Sequence, residues 1–166
     1  MEAGIIVQPF EMRETVLVYE PMKSILVCKE SSGDRKKLWV KKLMEGGAVL
    51  GAVEDDERYY VALQSGDASG QFMALDRASG ATSWFIPGRA FLQILFDGFL
   101  YLIFIDERER YFLLKVDPGS GSAVWHYSVE GDLCEYSFTK KRVYLHYASG
   151  RREAVSLESG RLESAY

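Results

Sequence analysis

Cysteine is scarce in this chain: Cys28 and Cys134 are the only two in 166 residues, far apart and without a CxxC pair. A disulfide framework or a Cys-based zinc site is thereby excluded, and both thiols are expected as small buried groups in strands. Positive charge is also short, with 20 Lys and Arg against 24 Asp and Glu, a net charge of −4. The densest basic runs, Asp34 to Lys42 and Thr139 to Arg142, are brief. Displacing counterions from a nucleic-acid backbone needs a broader basic surface, so no nucleic-acid partner is expected. Nor is there a long apolar run. Phe91 to Ile105 is interrupted by Gln93 and by Asp97-Gly98, and falls short of the ~20 residues that cross a bilayer. No membrane span is expected. The opening stretch MEAGIIVQPF has an acidic second residue and only three apolar residues in a row, which is no export signal. A cytoplasmic location follows, or an extracytoplasmic one if a leader has been removed. Helical periodicity is missing throughout.

What is present is aromatic and strand-like. Aromatics make up 13% of the chain and apolar residues 48%, a balance suited to pleated, half-buried surfaces. Short apolar runs are bounded by turn residues: TVLVYE and SILVCK around PMK, RYYVALQ and QFMALD around SGDASG, FLYLIFI and YFLLKV around DERER, RVYLHY and REAVSL around ASGR. Runs of this length and punctuation predict an all-β chain. They also recur. Gly80, Gly121 and Gly160 are spaced 41 and 39 residues apart, and Trp39, Trp84 and Trp125 are spaced 45 and 41. A period near forty with several strands per unit marks propeller blades. One domain over 1–166 divides into four blades of four strands, approximately 1–44, 45–88, 89–129 and 130–166. Each blade opens with an inner strand, at Ala3 to Gln8, Ala48 to Val53, Ala90 to Phe96 and Leu133 to Phe138. These are apolar, as expected where both faces are covered and the axis is filled.

The skeleton Ala-x-Asp-x-x-x-Gly-x-x-x-Trp is complete in blade two as Ala74, Asp76, Gly80 and Trp84. Blade three keeps Asp117, Gly121 and Trp125, with Lys115 for the alanine. Blade four keeps Ala154 and Gly160 but has Ser156 and Ser164, and blade one keeps only Trp39, with Arg35 at the glycine position. This pattern resembles the tryptophan-docking repeat of quinoprotein-like (PQQ-like) β-propellers. The physics reads independently of the family. Asp and Gly make a tight turn, and an indole of ~200 Å² is aimed at a neighbouring sheet. The resemblance implies that Trp39, Trp84 and Trp125 lock blades together, with Asp76, Gly80, Asp117 and Gly121 shaping the corners. The loss of the wedge at Ser164 leaves two closures: four blades closed on themselves, or two chains joined edge to edge as a homodimeric eight-bladed ring. The second is favoured because the resembled propellers usually have more than four blades.

Cofactor chemistry does not carry over, since the quinoprotein enzymes hold a quinone with calcium, several carry adjacent cysteines, and no Cys-Cys occurs here. No cofactor, metal or catalytic residue is therefore assigned. Glu54 to Arg58 (EDDER) reads as a solvated turn, and Ser65 to Gly70 lacks the ending of a phosphate loop. His126 and His146 have no partner at metal-ligand spacing. The expected function is a non-catalytic binding or assembly module acting through protein–protein interaction. Its loops on one face would offer Glu45, Asp67, Arg89 and Arg108 to a protein partner. The alternative is a small-ligand sensor or quinoprotein-type enzyme domain that uses the ring axis.

Overall fold

A computed structural model describes residues 7–66 and 69–166, and among them every regular element is a β-strand. Blade 1 holds β1 (Gln8–Glu11), β2 (Thr15–Glu20), β3 (Ile25–Glu30) and β4 (Lys37–Lys42). Blade 2 holds β5 (Gly47–Glu54), β6 (Arg58–Ser65), β7 (Ser69–Asp76) and β8 (Thr82–Pro87). Blade 3 holds β9 (Arg89–Phe96), β10 (Phe99–Ile105), β11 (Tyr111–Val116) and β12 (Ala123–Ser128). Blade 4 holds β13 (Leu133–Phe138), β14 (Arg142–Tyr147), β15 (Arg152–Ser156) and β16 (Leu162–Ala165). Each blade is an antiparallel meander whose spatial order follows the chain, the cheapest connection for strands joined by short turns.

The first inner strand differs from expectation. The strand is Gln8–Glu11, while 1–6 lie outside the described residues. The Met12 amide donates to the Thr15 carbonyl and closes the turn that sets Phe10 opposite Leu17. Pro9 is tolerated because β1 is an edge strand and owes no second neighbour an N–H. Inner strand β13 also departs from the apolar, doubly covered expectation. Cys134, Glu135, Tyr136 and Ser137 are all exposed: Glu135 and Ser137, opposite His146 and Tyr144, lie on the front that no following blade covers, while Tyr136, opposite Leu145, is exposed on the back.

Period-two alternation gives every blade two faces. We call the face bearing the tryptophan position the front. The front of blade 1 and the back of blade 2 share one core, with Leu17, Leu26 and Trp39 against Val61, Leu63 and Met73. Blades 2 and 3 share a second, around Tyr60, Phe72, Leu102 and Phe104. Blades 3 and 4 share a third, around Tyr101, Leu113, Leu145 and Tyr147. Among the described residues, no core cluster joins blade 4 to blade 1. The blades therefore form an arc with three sealed junctions and two end faces.

Candidate functional site

Each sealed junction is built the same way. Trp39 Nε1 donates to the Arg77 carbonyl at 3.0 Å, Trp84 Nε1 to Pro118 at 2.9 Å, and Trp125 Nε1 to Leu157 at 2.9 Å. Each acceptor lies three residues before Gly80, Gly121 or Gly160, which adopt φ of +75°, +75° and +69°. A Cβ on Gly80 or Gly121 would stand 2.5 Å from the indole of the preceding blade. Glycine is needed here twice over, for its left-handed backbone and for the closeness of the ring. Asp76 Oδ1 holds the corner by accepting from the Ala78 and Ser79 amides and the Ser79 hydroxyl. Those bonds, with Ser79 foremost, hold its carboxyl below the ordinary 3.8. Asp117 takes the same bonds from Gly119 and Ser120.

Two buried polar networks reinforce the junctions, and neither was apparent from the sequence. Glu54, expected in a solvated turn, is instead buried between blades 1 and 2. Its Oε1 accepts from the Arg13 amide at 3.0 Å and from Arg13 Nε at 2.7 Å, and its Oε2 lies 3.5 Å from Arg77. Neighbouring Asp55 caps its own turn through Glu57 and Arg58 amides and accepts from the Tyr60 hydroxyl at 2.5 Å. Burial pushes Asp55 up, but these hydrogen bonds win and hold it low; burial and the Asp55 charge push Tyr60 well above its ordinary value. Between blades 3 and 4, Tyr127 donates to buried Glu153, which also meets Arg151 at 3.3 Å. Burial and the Glu153 charge raise both Tyr127 and Tyr147. Lys115 was visible only as a break in the repeat. It is buried, donates to the Leu157 carbonyl at 3.0 Å and sits 4.2 Å from the Phe99 ring centre. The same carbonyl serves Trp125, so one acceptor ties two blade 3 side chains to blade 4.

Of the loop residues read from the sequence, Glu45, Arg89 and Arg108 lie at one end of the strands. Glu45 and Arg108 are exposed, Arg89 is half-buried with its guanidinium 5.6 Å from the Phe91 ring centre, and Asp67 lies outside the described residues. Beside Arg89 runs a groove of about 270 Å³ walled by Phe91, Ile103, Ile105, Tyr111, Val129 and Leu133. At the opposite end, Arg13, Glu54 and Leu95 border a broad hollow of about 560 Å³ on the axis side. Glu54 is the buried carboxylate there, and guanidinium groups face both of its oxygens. Its Oε1 is hydrogen-bonded by Arg13, while Oε2 has no hydrogen-bond partner and lies 3.5 Å from Arg77. The cysteines part company. Cys28 is buried, and burial pushes its thiol up, whereas Cys134 is exposed, contrary to the expectation of two buried thiols. The reason is the uncovered front of blade 4. Among the described residues, no three His, Cys, Asp or Glu side chains converge as a metal site.

The end faces depart from the internal pattern position by position. On the front, Leu26, Phe72 and Leu113 occupy equivalent core positions, paired with the residue two beyond each tryptophan. Arg152 takes that position in blade 4 and is exposed. Ser164 stands for the tryptophan and His146 for Tyr19, Ala62 and Ile103. On the back, Leu63, Phe104 and Tyr147 are equivalent, and Glu20 replaces them in blade 1. Arg35 stands four residues before Trp39 with φ +49°, a left-handed turn kept without the glycine. Leu38 and Val40 on that back face are 43% and 52% exposed.

No protein-family profile matches the chain, and no curated protein sequence matches it either. Solved structures do. BamB from Moraxella catarrhalis superposes with a TM-score of 0.66 at 16% identity, over 100% of this chain and 49% of that one. The computationally designed Ika8 protein gives 0.68 at 14% identity, over 96% and 48%. A europium-containing methanol dehydrogenase gives 0.73 at 11% identity, over 95% and 40%. The chain thus spans half or less of the length of each structure. Likeness at these identities speaks for architecture and not for activity, and on that ground the chain has the fold of four β-propeller blades.

Proposed function

We propose that this chain is a non-catalytic propeller module that works by protein–protein interaction or assembly. The observation that carries the reading is the pair of end faces. Three junctions are sealed by indole wedges and buried polar networks, while the fourth set of faces meets no blade among the described residues. Leu38 and Val40 stand exposed on one of them. A sheet face that retains apolar residues lowers its free energy by gaining a polypeptide cover.

The test is site-specific. A photo-crosslinking amino acid at Val40, with exposed Ser79 as the control site, is activated in cells that make the protein. The expected result is a defined polypeptide adduct from position 40 and none from position 79. No adduct from position 40, together with saturable uptake of a quinone and calcium read by visible absorbance, would overturn the reading in favour of an axial ligand site.

A further inference from the structure

We infer that the polypeptide covering these faces is a second copy of this chain, blade 4 of each copy docking on blade 1 of the other, so that two arcs close one ring. The inference rests on the interaction reading above and names its partner. Its first support is that the wedge is lost on both sides of one junction at once. Every internal junction pairs a tryptophan with a glycine. Blade 4 has lost the tryptophan (Ser164) and blade 1 the glycine (Arg35). An indole arriving from another propeller's blade would meet the Arg35 side chain where the internal junctions offer a bare glycine. The small Ser164 makes no such demand.

The second support is charge. The front position of Leu26, Phe72 and Leu113 and the back position of Leu63, Phe104 and Tyr147 fall in one shared core cluster at each internal junction: Leu26 with Leu63, Phe72 with Phe104, Leu113 with Tyr147. At the terminal junction these two positions are Arg152 and Glu20, of opposite sign. Arg152 makes no side-chain ion pair among the described residues, and Glu20 has only Lys23 at 3.7 Å. Bringing blade 4 onto blade 1 of a second copy therefore places a guanidinium against a carboxylate where other junctions place two apolar groups. The remaining charges on these faces are mixed, with Glu11, Lys29 and Lys42 on blade 1 and Glu135, Arg142 and Glu163 on blade 4, so neither face repels the other outright.

The third support is size. This arc superposes on 49% of one solved propeller and 48% of another. Two copies related by a two-fold axis supply about the same length as either of those whole chains, with both junctions identical. Such closure is finite, and a head-to-tail contact that closes after two copies leaves no free edge to propagate.

Charge exchange tests this directly. Sedimentation equilibrium over a wide concentration range should give twice 18.8 kDa for the parent chain. E20R or R152E alone should raise the dimer dissociation constant about tenfold or more, as loss of an interfacial charge pair does. The double variant E20R/R152E, which restores the pair with its signs reversed, should recover most of that affinity. Small-angle scattering of the dimer should show a closed ring. A one-chain mass at every concentration, a mass growing beyond two chains, or single exchanges that the double variant does not rescue would each overturn the two-copy ring. An adduct from position 40 to a different protein would overturn it while leaving the interaction reading standing.

Discussion

Alanine at Gly121 offers the sharpest measurement of what an indole wedge contributes. Gly121 sits at φ +75°, and an added Cβ would stand 2.5 Å from Trp84 Cδ2. Gly33 has nearly the same backbone, φ +65°, with nothing within 4 Å. The two sites therefore share the backbone penalty, about 1–2 kcal/mol for an L-residue held left-handed, and differ in the wedge. At Gly121 the ring must also retreat. Overpacking costs about 1–3 kcal/mol, and moving the indole strains its bond to the Pro118 carbonyl, with a net contribution of about 1 kcal/mol. The expected cost is about 3–6 kcal/mol for G121A against about 1–2 for G33A. Urea unfolding followed by far-ultraviolet circular dichroism reads both without relying on tryptophan emission. A double-mutant cycle completes the argument. In a W84A background, itself destabilised by about 3–5 kcal/mol, G121A should cost only the backbone strain, a coupling of about 2–4 kcal/mol. Equal costs at Gly121 and Gly33, or a G121A penalty unchanged without Trp84, would refute the wedge.

Acid should loosen the blade corners first. Asp55, Asp76 and Asp106 are all held below their ordinary 3.8, so the stability they add is present above that value and is lost as pH falls through their lower folded values. Thermal midpoints should drop over that range, and D76N should shrink the drop. At the alkaline end the sign reverses. Tyr60, Tyr127 and Tyr147 are raised above their ordinary 10.0, so the fold should weaken as pH climbs past 10, with one part of the tyrosinate absorbance appearing only together with unfolding. Thiol counting separates the two cysteines: a bulky maleimide should modify Cys134 in the folded chain at dilutions where the one-chain mass prevails, and reach Cys28 only in denaturant. Two equivalents titrated natively would contradict the burial of Cys28.

The chain's own pattern decided much of this. A forty-residue period, strand-length apolar runs and the Asp-Gly-Trp skeleton are local signals, and they set strand identity, blade limits and the corners at Asp76 and Asp117, because turn chemistry and period-two alternation act within one hairpin. The partners of Glu54, Lys115 and Glu153 were not legible. Each is a charged residue bonded by a group twenty-six to forty-two positions away, across a sheet-to-sheet gap, and nothing adjacent in sequence betrays that. The ends show the same division. Ser164, Arg35, Arg152 and Glu20 read as repeat decay until the blades are superposed. Only tertiary structure puts Arg152 and Glu20 at the two positions that share a core everywhere else, since a front meets a back through the curvature of the arc and not through any spacing along the chain.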